Sequence, residues 1–354
     1  MRMRIRRHTM ILPFIAFSFL LNAPQTPAAE RIAHYVASAH WDREWYEPFQ
    51  GFRMRLVDVL DAALAKVESD PAYPTYVMDG QTIPAYDYLE IRPEKRPQVE
   101  RLVKEGRFML GPWYVLPDQW LVSGESLIRN IEMGRAMSSA LGAPASKAGF
   151  LCDMFGHTGQ MPQILDQFGI PAAFVWRGTL ERELHERFNW QGPDGTVMPT
   201  FRFSRIGYCT YQLEVRCDTC AIEEVVKKLV THVTEEAKRS PDGPMLLFDG
   251  CDHTSIEPRT PDIIRLANEQ LIPKGIRIVH SDLDRFMEDM LKTRDTITFA
   301  KKGELRESGS GANGAHLIPG VLSSRIYLKQ RNASCEDELC IWAEPFSAFA
   351  AGIG

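Results

Sequence analysis

The sequence predicts an α/β protein built around a parallel sheet, and three observations support this class. Short apolar runs alternate with stretches whose apolar residues recur at helical spacing, which is typical of β-α-β units. Polar residues directly follow several of the predicted strands, where α/β folds place their functional side chains. The chain has 354 residues and 44% hydrophobic content, which is enough for one large domain of barrel size or two smaller ones.

The predicted elements follow from local patterns. An apolar run predicts a buried strand over 31–38, and apolar residues at helical spacing predict a helix over 53–68 that ends before Pro71. Pro93 lies near the first turn of the next predicted helix, a position that proline favours. Further strands are predicted over 73–78, 107–110, 147–152, 171–176, 245–248 and 276–279, and further helices over 93–105, 127–140, 160–168 and 260–269.

Residues 1–29 have the pattern of a secretory signal peptide. Four arginines precede an apolar run over 10–21 that is too short to span a bilayer comfortably, and small residues over 22–29 suit cleavage. A retained anchor is the alternative. We therefore expect the chain to be secreted or periplasmic, without stable membrane insertion after the signal is removed. Removing four arginines and no acidic residue takes the formal net charge from −5 to −9.

Charge and cysteine content narrow the possible partners. The charges are mixed and form no long basic run, so nucleic acid is not an expected partner. The seven cysteines are an odd number, so at least one is free or pairs elsewhere. Cys217 and Cys220 have the spacing of half a zinc site, but a local disulfide or plain thiols are favoured, and export permits a disulfide. The sequence leaves the oligomeric state open.

The motif His40-x-Asp42 is the first candidate for chemistry. Side chains two residues apart on a strand point the same way, so both aim off the carboxyl end of the first predicted strand. An imidazole beside a carboxylate is a natural half of a divalent metal site, although an isolated motif of this kind is more often only a polar strand end. Other acidic residues that follow predicted strands are Asp79, Asp153, Asp249 and Asp252.

Four stretches in order resemble the class II α-mannosidases of glycoside hydrolase family 38. They are AHWDREW at 39–45, LCDMFGH at 151–157, FDGCDH at 248–253, and the stretch from His316 through SSRIYLK at 323–329. Each stretch is weak alone. Four in order, over about residues 31–350 and on a strand–helix background, are hard to obtain by chance.

This resemblance implies a seven-stranded parallel α/β barrel-like catalytic domain, which we place over 30–302. At Gly303 the alternation of short predicted strands and helices ends. Residues 303–354 would contain a metal-ligand loop and the start of a helical-bundle domain that is truncated here. The helix predicted over 323–349 would open that bundle, because its apolar residues need a surface to pack on.

The resemblance also implies one Zn²⁺ per chain. Carried over residue by residue, its ligands would be His40, Asp42, Asp153 and His316, with His253 as the competing fourth ligand. Two imidazoles and two carboxylates also suit other divalent ions, so the residues alone do not select zinc.

Asp153 is implied to be both a metal ligand and the nucleophile of a retaining glycosidase. Such an enzyme needs a second carboxyl group as acid and then base, and the span between the nucleophile and the G-x-D-H loop offers Glu214 and Asp218. We take Asp218 as the first choice. Asp252, His253 and Trp45 are expected to contact the substrate.

The implied activity is hydrolysis of terminal α-D-mannosidic bonds in glycans or small mannosides. Trp41, Phe155 and Trp176 could also stack on a sugar, although such residues more often belong to the core. One alternative is a metal-dependent polysaccharide deacetylase, which would use a metal-bound water rather than a nucleophilic aspartate. A second alternative is a truncated fragment that binds metal or carbohydrate without turnover.

Overall fold

A computed structural model describes residues 30–180, 185–204, 206–308 and 317–353. The strands are β1 (Arg31–Ala37), β2 (Tyr76–Val77), β3 (Phe108–Met109), β4 (Ala148–Phe150), β5 (Ala172–Val175), β6 (Arg187–Gln191), β7 (Val197–Arg202), β8 (Met245–Asp249), β9 (Ile276–His280) and β10 (Ala300–Lys302). The α-helices are α1 (Phe49–Ser69), α2 (Ile83–Ile91), α3 (Arg96–Lys104), α4 (Gly124–Ala140), α5 (Met161–Gln167), α6 (Thr210–Glu214), α7 (Ile222–Arg239), α8 (Thr260–Leu271), α9 (Leu283–Lys292), α10 (Ile326–Asp337) and α11 (Glu344–Ile353).

The strands form three hydrogen-bonded sheets. β1 lies between β8 and β9 and is parallel to both, and β2 pairs in parallel with β3. The third sheet has the order β10-β6-β7-β5-β4, in which the β6–β7 pair is antiparallel and the other pairs are parallel. The predicted α/β class is therefore confirmed. A single seven-stranded parallel barrel is not confirmed by the hydrogen bonding of the described strands.

Strand β1 is buried on both faces. Tyr35 belongs to an apolar cluster that contains residues of α1, α7 and α8, and Val36 belongs to a second cluster that contains residues of β5 and α9. Burial on both faces is expected for a parallel strand covered by helices on either side. It also explains why the sequence of this strand is a nearly continuous apolar run.

Local sequence explains several helix boundaries and faces. The Ser123 side chain accepts a hydrogen bond from the backbone N–H of Ser126 and caps α4, and Asp282 caps α9 in the same way through the N–H of Arg285. Helix α7 buries Leu229 and other apolar residues along one side, and most of its charged residues, with the exception of Glu236, lie on the other.

Several elements were absent from the sequence prediction. Helices α2, α7 and α9 and the β6–β7 hairpin form between elements that the apolar runs did indicate. The hairpin strand β6 alternates buried and half-buried residues, which is the pattern of an antiparallel pair and differs from the continuous runs that marked the parallel strands.

The helix predicted over 323–349 is present in a modified form. Helix α10 begins at Ile326, continues through a π-helical segment (Glu338–Ala343) and leads into α11. Its apolar side chains are exposed, including Trp342 and Phe346. No described helix is both long enough and apolar enough to cross a membrane.

Candidate active site

Five strands bring polar side chains to one edge of the fold. His40 follows β1, Asp79 follows β2, Asp153 follows β4, Arg177 follows β5 and Asp252 follows β8. This edge opens into a cavity of about 350 Å³, within the size range of small-molecule sites. Carboxyl ends of parallel strands meet at the same edge, which is why residues that follow different strands come together here.

His40, Asp42 and Asp153 converge within this cavity, with one donor atom from each lying within 4.8 Å of the others. Nε2 of His40 lies 3.4 Å from Oδ2 of Asp153 and 3.7 Å from Oδ2 of Asp42, without hydrogen-bond geometry to either. A buried imidazole nitrogen without a hydrogen-bond partner, facing two carboxylates, is a donor set that fits a divalent cation. Three of the four predicted metal ligands are therefore together.

Asp79 lies behind His40 and is completely buried. Its Oδ2 lies 2.9 Å from Nδ1 of His40 and accepts hydrogen bonds from the Trp41 N–H at 3.0 Å and the Gln81 side chain at 2.8 Å. A carboxylate on the far nitrogen of a metal-binding histidine fixes the ring and its tautomer. Burial lowers the pKa of His40, but the negative charges of Asp79 and Asp153 together raise it well above its ordinary value.

Arg177 holds the carboxylate of Asp153. The guanidinium donates from Nε to Oδ1 at 2.6 Å and contacts the same oxygen through Nη2. Burial raises the pKa of Asp153, but its contacts with the His40 ring and the Arg177 guanidinium lower it below its ordinary value. The carboxylate is thus ionised while only 16% of its side chain is exposed, which suits an attacking group.

Tyr208 and Asp252 form a hydrogen-bonded pair on the cavity wall. The phenol donates to Oδ1 of Asp252 at 2.9 Å, and its ring lies 4.8 Å from that of His40. Burial and the charges of Asp153 and Asp252 raise the pKa of Tyr208, so the hydroxyl stays protonated and acts as a donor. Asp252 itself is exposed to the cavity.

His253 lies behind Asp42 and is not among the residues that line the cavity. Its Nε2 is 3.2 Å from Oδ2 of Asp42, and its ring packs edge-on against Trp41 and Phe52. The structure thus places this histidine where it can orient a candidate ligand, rather than where we expected it to contact substrate. Asp79, Asp153 and His253 all adopt positive φ angles of 44°, 63° and 51°.

The two predicted candidates for acid/base catalyst lie outside the cavity. Asp218 is 66% exposed and pairs with Arg216 at 2.9 Å. Glu214 contacts Nδ1 of His232 at 3.0 Å and lines a separate surface cavity. The acid/base catalyst of a retaining glycosidase must share the cavity with the nucleophile, and neither Glu214 nor Asp218 lines the cavity with Asp153.

The aromatic candidates divide between wall and core. Trp45 lines the cavity and is 62% exposed, and Phe155 also lines it. Trp41 touches the cavity but is buried, and Trp176 is buried against Tyr208. Trp45 is therefore an exposed side chain on the cavity wall, and its predicted contact with substrate stays a prediction.

His316 lies outside the described residues, as does the predicted signal peptide. The structure resumes at Leu317, which is buried, and the next residue, Ile318, lines the cavity. Gly156 packs so closely that a Cβ there would lie 3.0 Å from the Leu317 side chain.

Several site residues were missed or left without a role by sequence reasoning. Asp79 was recognised only as an acid after a strand, and Arg177 directly follows a predicted strand without having been considered. The same strand-end rule would have found Arg177. Tyr208 lies in a segment without a clear periodic pattern, and Asp118, which also lines the cavity, lies in a loop, so neither carried a recognisable signal.

Two disulfides are present among the described residues. Cys217 pairs with Cys220, in agreement with the favoured interpretation of their spacing, and Cys209 pairs with Cys251. The free thiols are Cys152, Cys335 and Cys340. Cys251 immediately precedes Asp252, so the second disulfide lies at the edge of the cavity.

Comparison with known proteins agrees with this geometry. Residues 31–303 match the family model described as glycosyl hydrolases family 38 N-terminal domain. A protein of Halalkalibacterium halodurans, provisionally named mannosylglycerate hydrolase, is 34% identical over 334 residues, covering 89% of this chain and 36% of the relative. An α-mannosidase of Saccharomyces cerevisiae is 26% identical over 170 residues, covering 47% of this chain and 16% of the relative.

Solved structures show the same relationship. An α-mannosidase from Enterococcus faecalis superimposes with a TM-score of 0.78 at 30% identity, covering 88% of this chain and 34% of that protein. A protein of Mycobacterium smegmatis, provisionally named polysaccharide deacetylase, has a TM-score of 0.51 at 9% identity, covering 78% of this chain and 94% of that protein, and so shares only the fold. The chain spans about a third of the length of the H. halodurans and E. faecalis relatives and 16% of the S. cerevisiae enzyme.

Proposed function

The chain belongs to glycosyl hydrolase family 38, and from this membership and the site geometry we propose that it hydrolyses terminal α-D-mannosidic bonds with retention of configuration. The observation that carries the proposal is the ionised carboxylate of Asp153, which Arg177 holds at the wall of a cavity beside His40 and Asp42. Because the relatives are about three times longer, activity of this stretch alone is part of the proposal.

We propose that His40, Asp42, Asp153 and His316 hold one Zn²⁺, while other divalent ions remain chemically compatible with these ligands. The convergence of the first three donors supports this ligand set, as does the position of Ile318 on the cavity wall two residues after His316. A divalent ion held there would supply positive charge that orients sugar hydroxyls and keeps nearby carboxylates ionised.

Asp153 would attack the anomeric carbon and form a covalent glycosyl intermediate, the first step of a retaining mechanism. Arg177 keeps this carboxylate in place and favours its charged form through the bonds to Oδ1. Trp45 at the mouth would offer an apolar face to the sugar ring.

For the general acid and base we propose Asp252 in place of Asp218. Asp252 lines the same cavity as Asp153, whereas Asp218 pairs with Arg216 outside it. Tyr208 occupies Oδ1 of Asp252, and no side chain among the described residues hydrogen-bonds to Oδ2. Oδ2 is therefore the oxygen available to carry the proton to the leaving group and to activate water afterwards.

Three isosteric variants test this assignment. Asp153→Asn should abolish hydrolysis of 4-nitrophenyl α-mannoside, and Asp252→Asn should slow it by ~10²-fold or more, the usual contribution of a positioned acid. Asp218→Asn serves as the matched control and should retain activity. Proton NMR of the first-formed mannose reports the anomer, and α-mannose is expected.

Other outcomes would identify the alternatives. Release of β-mannose first would refute the nucleophilic role of Asp153. Stoichiometric metal with no mannoside hydrolysis would support a binding fragment, and acetate release from an acetylated polysaccharide would support a deacetylase. Loss of activity in Asp218→Asn but not in Asp252→Asn would reverse the acid/base assignment.

We propose small mannosides as the first substrates to examine. The name of the H. halodurans relative adds mannosylglycerate to this group. A panel of mannosylglycerate, α-linked mannobioses and methyl α-mannoside, compared by kcat/KM, would rank them. Equal rates on the corresponding glucosides would show that the axial 2-hydroxyl is not recognised and would refute the proposed specificity.

Two broader expectations remain proposals. We infer that the protein is exported. The two disulfides support this because such bonds persist in oxidising compartments. Mass spectrometry of the protein from culture medium or periplasm, showing an N-terminus near Glu30, would test it.

We also propose that the three sheets belong to one barrel-like layer. The isolated parallel bridge Ser38–Val77, which joins the end of β1 to β2, supports this arrangement, and an experimental structure would test it.

A further inference from the structure

One disulfide links two segments that each place a side chain on the cavity wall. Cys209 follows Tyr208, and Cys251 precedes Asp252, so the cross-link lies one residue away from each partner of the Tyr208–Asp252 hydrogen bond. The two segments are far apart in sequence, since the bonded cysteines are separated by 42 positions.

The two sides of this cross-link differ in how firmly the fold holds them. Tyr208 is 4% exposed and packs between the rings of His40 and Trp176. The preceding Gly207 has a φ of 66°, and a Cβ there would lie 2.2 Å from the indole of Trp176, so this segment is seated directly against the core.

Asp252 lies on a less regular segment. Residues 250–257 form neither helix nor strand, and the Asp252 side chain is exposed. Backbone bonds to His40 hold this segment on one side, from the His40 N–H to the Gly250 carbonyl at 3.0 Å and from the His253 N–H to the His40 carbonyl at 2.9 Å. The disulfide adds a covalent restraint toward the buried Tyr208 side.

We propose that the Cys209–Cys251 disulfide is a positioning device for catalysis, which fixes the carboxylate of Asp252 against the phenol of Tyr208. This inference rests on the proposed role of Asp252 as general acid. A proton donor must lie within hydrogen-bond reach of the leaving oxygen, so a small displacement of its loop slows proton transfer. Loss of the cross-link should therefore affect the acid step more than substrate binding.

The second disulfide provides a matched control. Cys217 and Cys220 are three residues apart, and neither lines the cavity. The same loop is also held by Arg259, whose guanidinium donates to the carbonyls of Cys217 at 2.8 Å and Cys220 at 2.9 Å. Removing this cross-link should leave catalysis unchanged.

The experiment compares Cys209→Ser/Cys251→Ser with Cys217→Ser/Cys220→Ser, both assayed below their unfolding transitions and with metal content measured. The substrates are 2,4-dinitrophenyl α-mannoside, whose leaving group needs no protonation, and methyl α-mannoside, whose leaving group does. We expect the first variant to lose roughly tenfold or more in kcat/KM on the methyl mannoside, with little change in kcat/KM on the dinitrophenyl substrate, because this ratio reports the steps up to formation of the glycosyl intermediate and not the later activation of water by Asp252. The control variant should match the wild type on both.

Equal losses of kcat/KM on both substrates, or wild-type kcat/KM on the methyl mannoside in the Cys209→Ser/Cys251→Ser variant, would overturn the inference. So would alkylation of both cysteines in the native protein, because they would then be thiols. If the Cys209→Ser/Cys251→Ser variant fails to fold, the Cys217→Ser/Cys220→Ser protein is folded first and its remaining disulfide is then reduced with a trialkylphosphine. In this reaction the phosphine takes oxygen from water and each sulfur gains a hydrogen. We expect the same larger loss on the methyl mannoside than on the dinitrophenyl substrate. Should Asp252→Asn keep full activity on methyl mannoside, the proposed function fails instead.

Discussion

The carboxylate of Asp79 should determine how tightly the proposed metal site binds a divalent ion. We consider Asp79→Asn, which keeps the shape of the side chain and can still accept a hydrogen bond from the Trp41 N–H. The variant loses the negative charge that lies 2.9 Å from Nδ1 of His40. Compared with a carboxylate, an amide holds the histidine ring and its tautomer less firmly, and it makes Nε2 a weaker metal ligand.

The usual effect of such a partner gives the magnitude of this change. Removing the carboxylate partner of a metal-binding histidine typically lowers metal affinity ~10- to 100-fold, which corresponds to about 1.4–2.7 kcal/mol. The contact is fully buried, so solvent does not screen it.

The assay is competition for Zn²⁺ between the metal-free protein and a chromophoric chelator, which measures affinity without turnover. Asp249→Asn is the control, because Asp249 is an equally buried aspartate at the end of β8 that accepts hydrogen bonds from Tyr35 at 2.7 Å and does not contact His40. Zn²⁺ affinity within twofold of wild type in Asp79→Asn would refute the reasoning. An equal loss in both variants would show that general damage to the fold is responsible.

Three further changes probe the fold around the site. Burial raises the pKa of Glu186 from 4.5 to about 7, and the charge of Arg239 opposes this rise. Between these pH values the folded state binds more protons than the unfolded state, so the free energy of unfolding falls by up to ~3 kcal/mol as pH rises from 4.5 to 7. Urea titrations at several pH values should show that Glu186→Gln removes this dependence. Gly207→Ala combines a positive φ with a clash against Trp176, so thermal denaturation should show a loss of ~1–3 kcal/mol, together with lower activity. Phe286→Ala leaves a cavity at a fully buried position and should destabilise by ~3–5 kcal/mol in denaturant unfolding, with kcat unchanged below the transition; an undiminished midpoint would contradict the burial of that ring.

The candidate metal site could be predicted largely because it follows a rule that acts locally. His40, Asp42 and Asp153 each lie directly after an apolar run, and parallel topology brings strand ends together whatever the order of strands. The alternation of strands and helices was visible for the same reason, since continuous burial leaves a continuous apolar pattern.

The other features of the site depend on contacts between segments that are distant in sequence. Asp218 and Asp252 are both acids near cysteines, and only the packing shows that one pairs with Arg216 outside the cavity while the other meets Tyr208 inside it. The role of His253 depended on the direction in which its ring points, which residue spacing does not encode. Pairing of Cys209 with Cys251 likewise could not be deduced from cysteine spacing alone.

Asp79, Asp153 and His253 have a left-handed backbone conformation, which lowers the stability of the fold at residues whose side chains form or support the candidate site. Each non-glycine residue in this conformation costs the folded state ~1 kcal/mol or more, against a total stability of about 5–15 kcal/mol for a typical domain. A glycine would relieve this cost and would also remove the side chain on which the site depends. The fold therefore carries a strained backbone at these three positions, and the contacts that each side chain makes with its neighbours compensate for that strain.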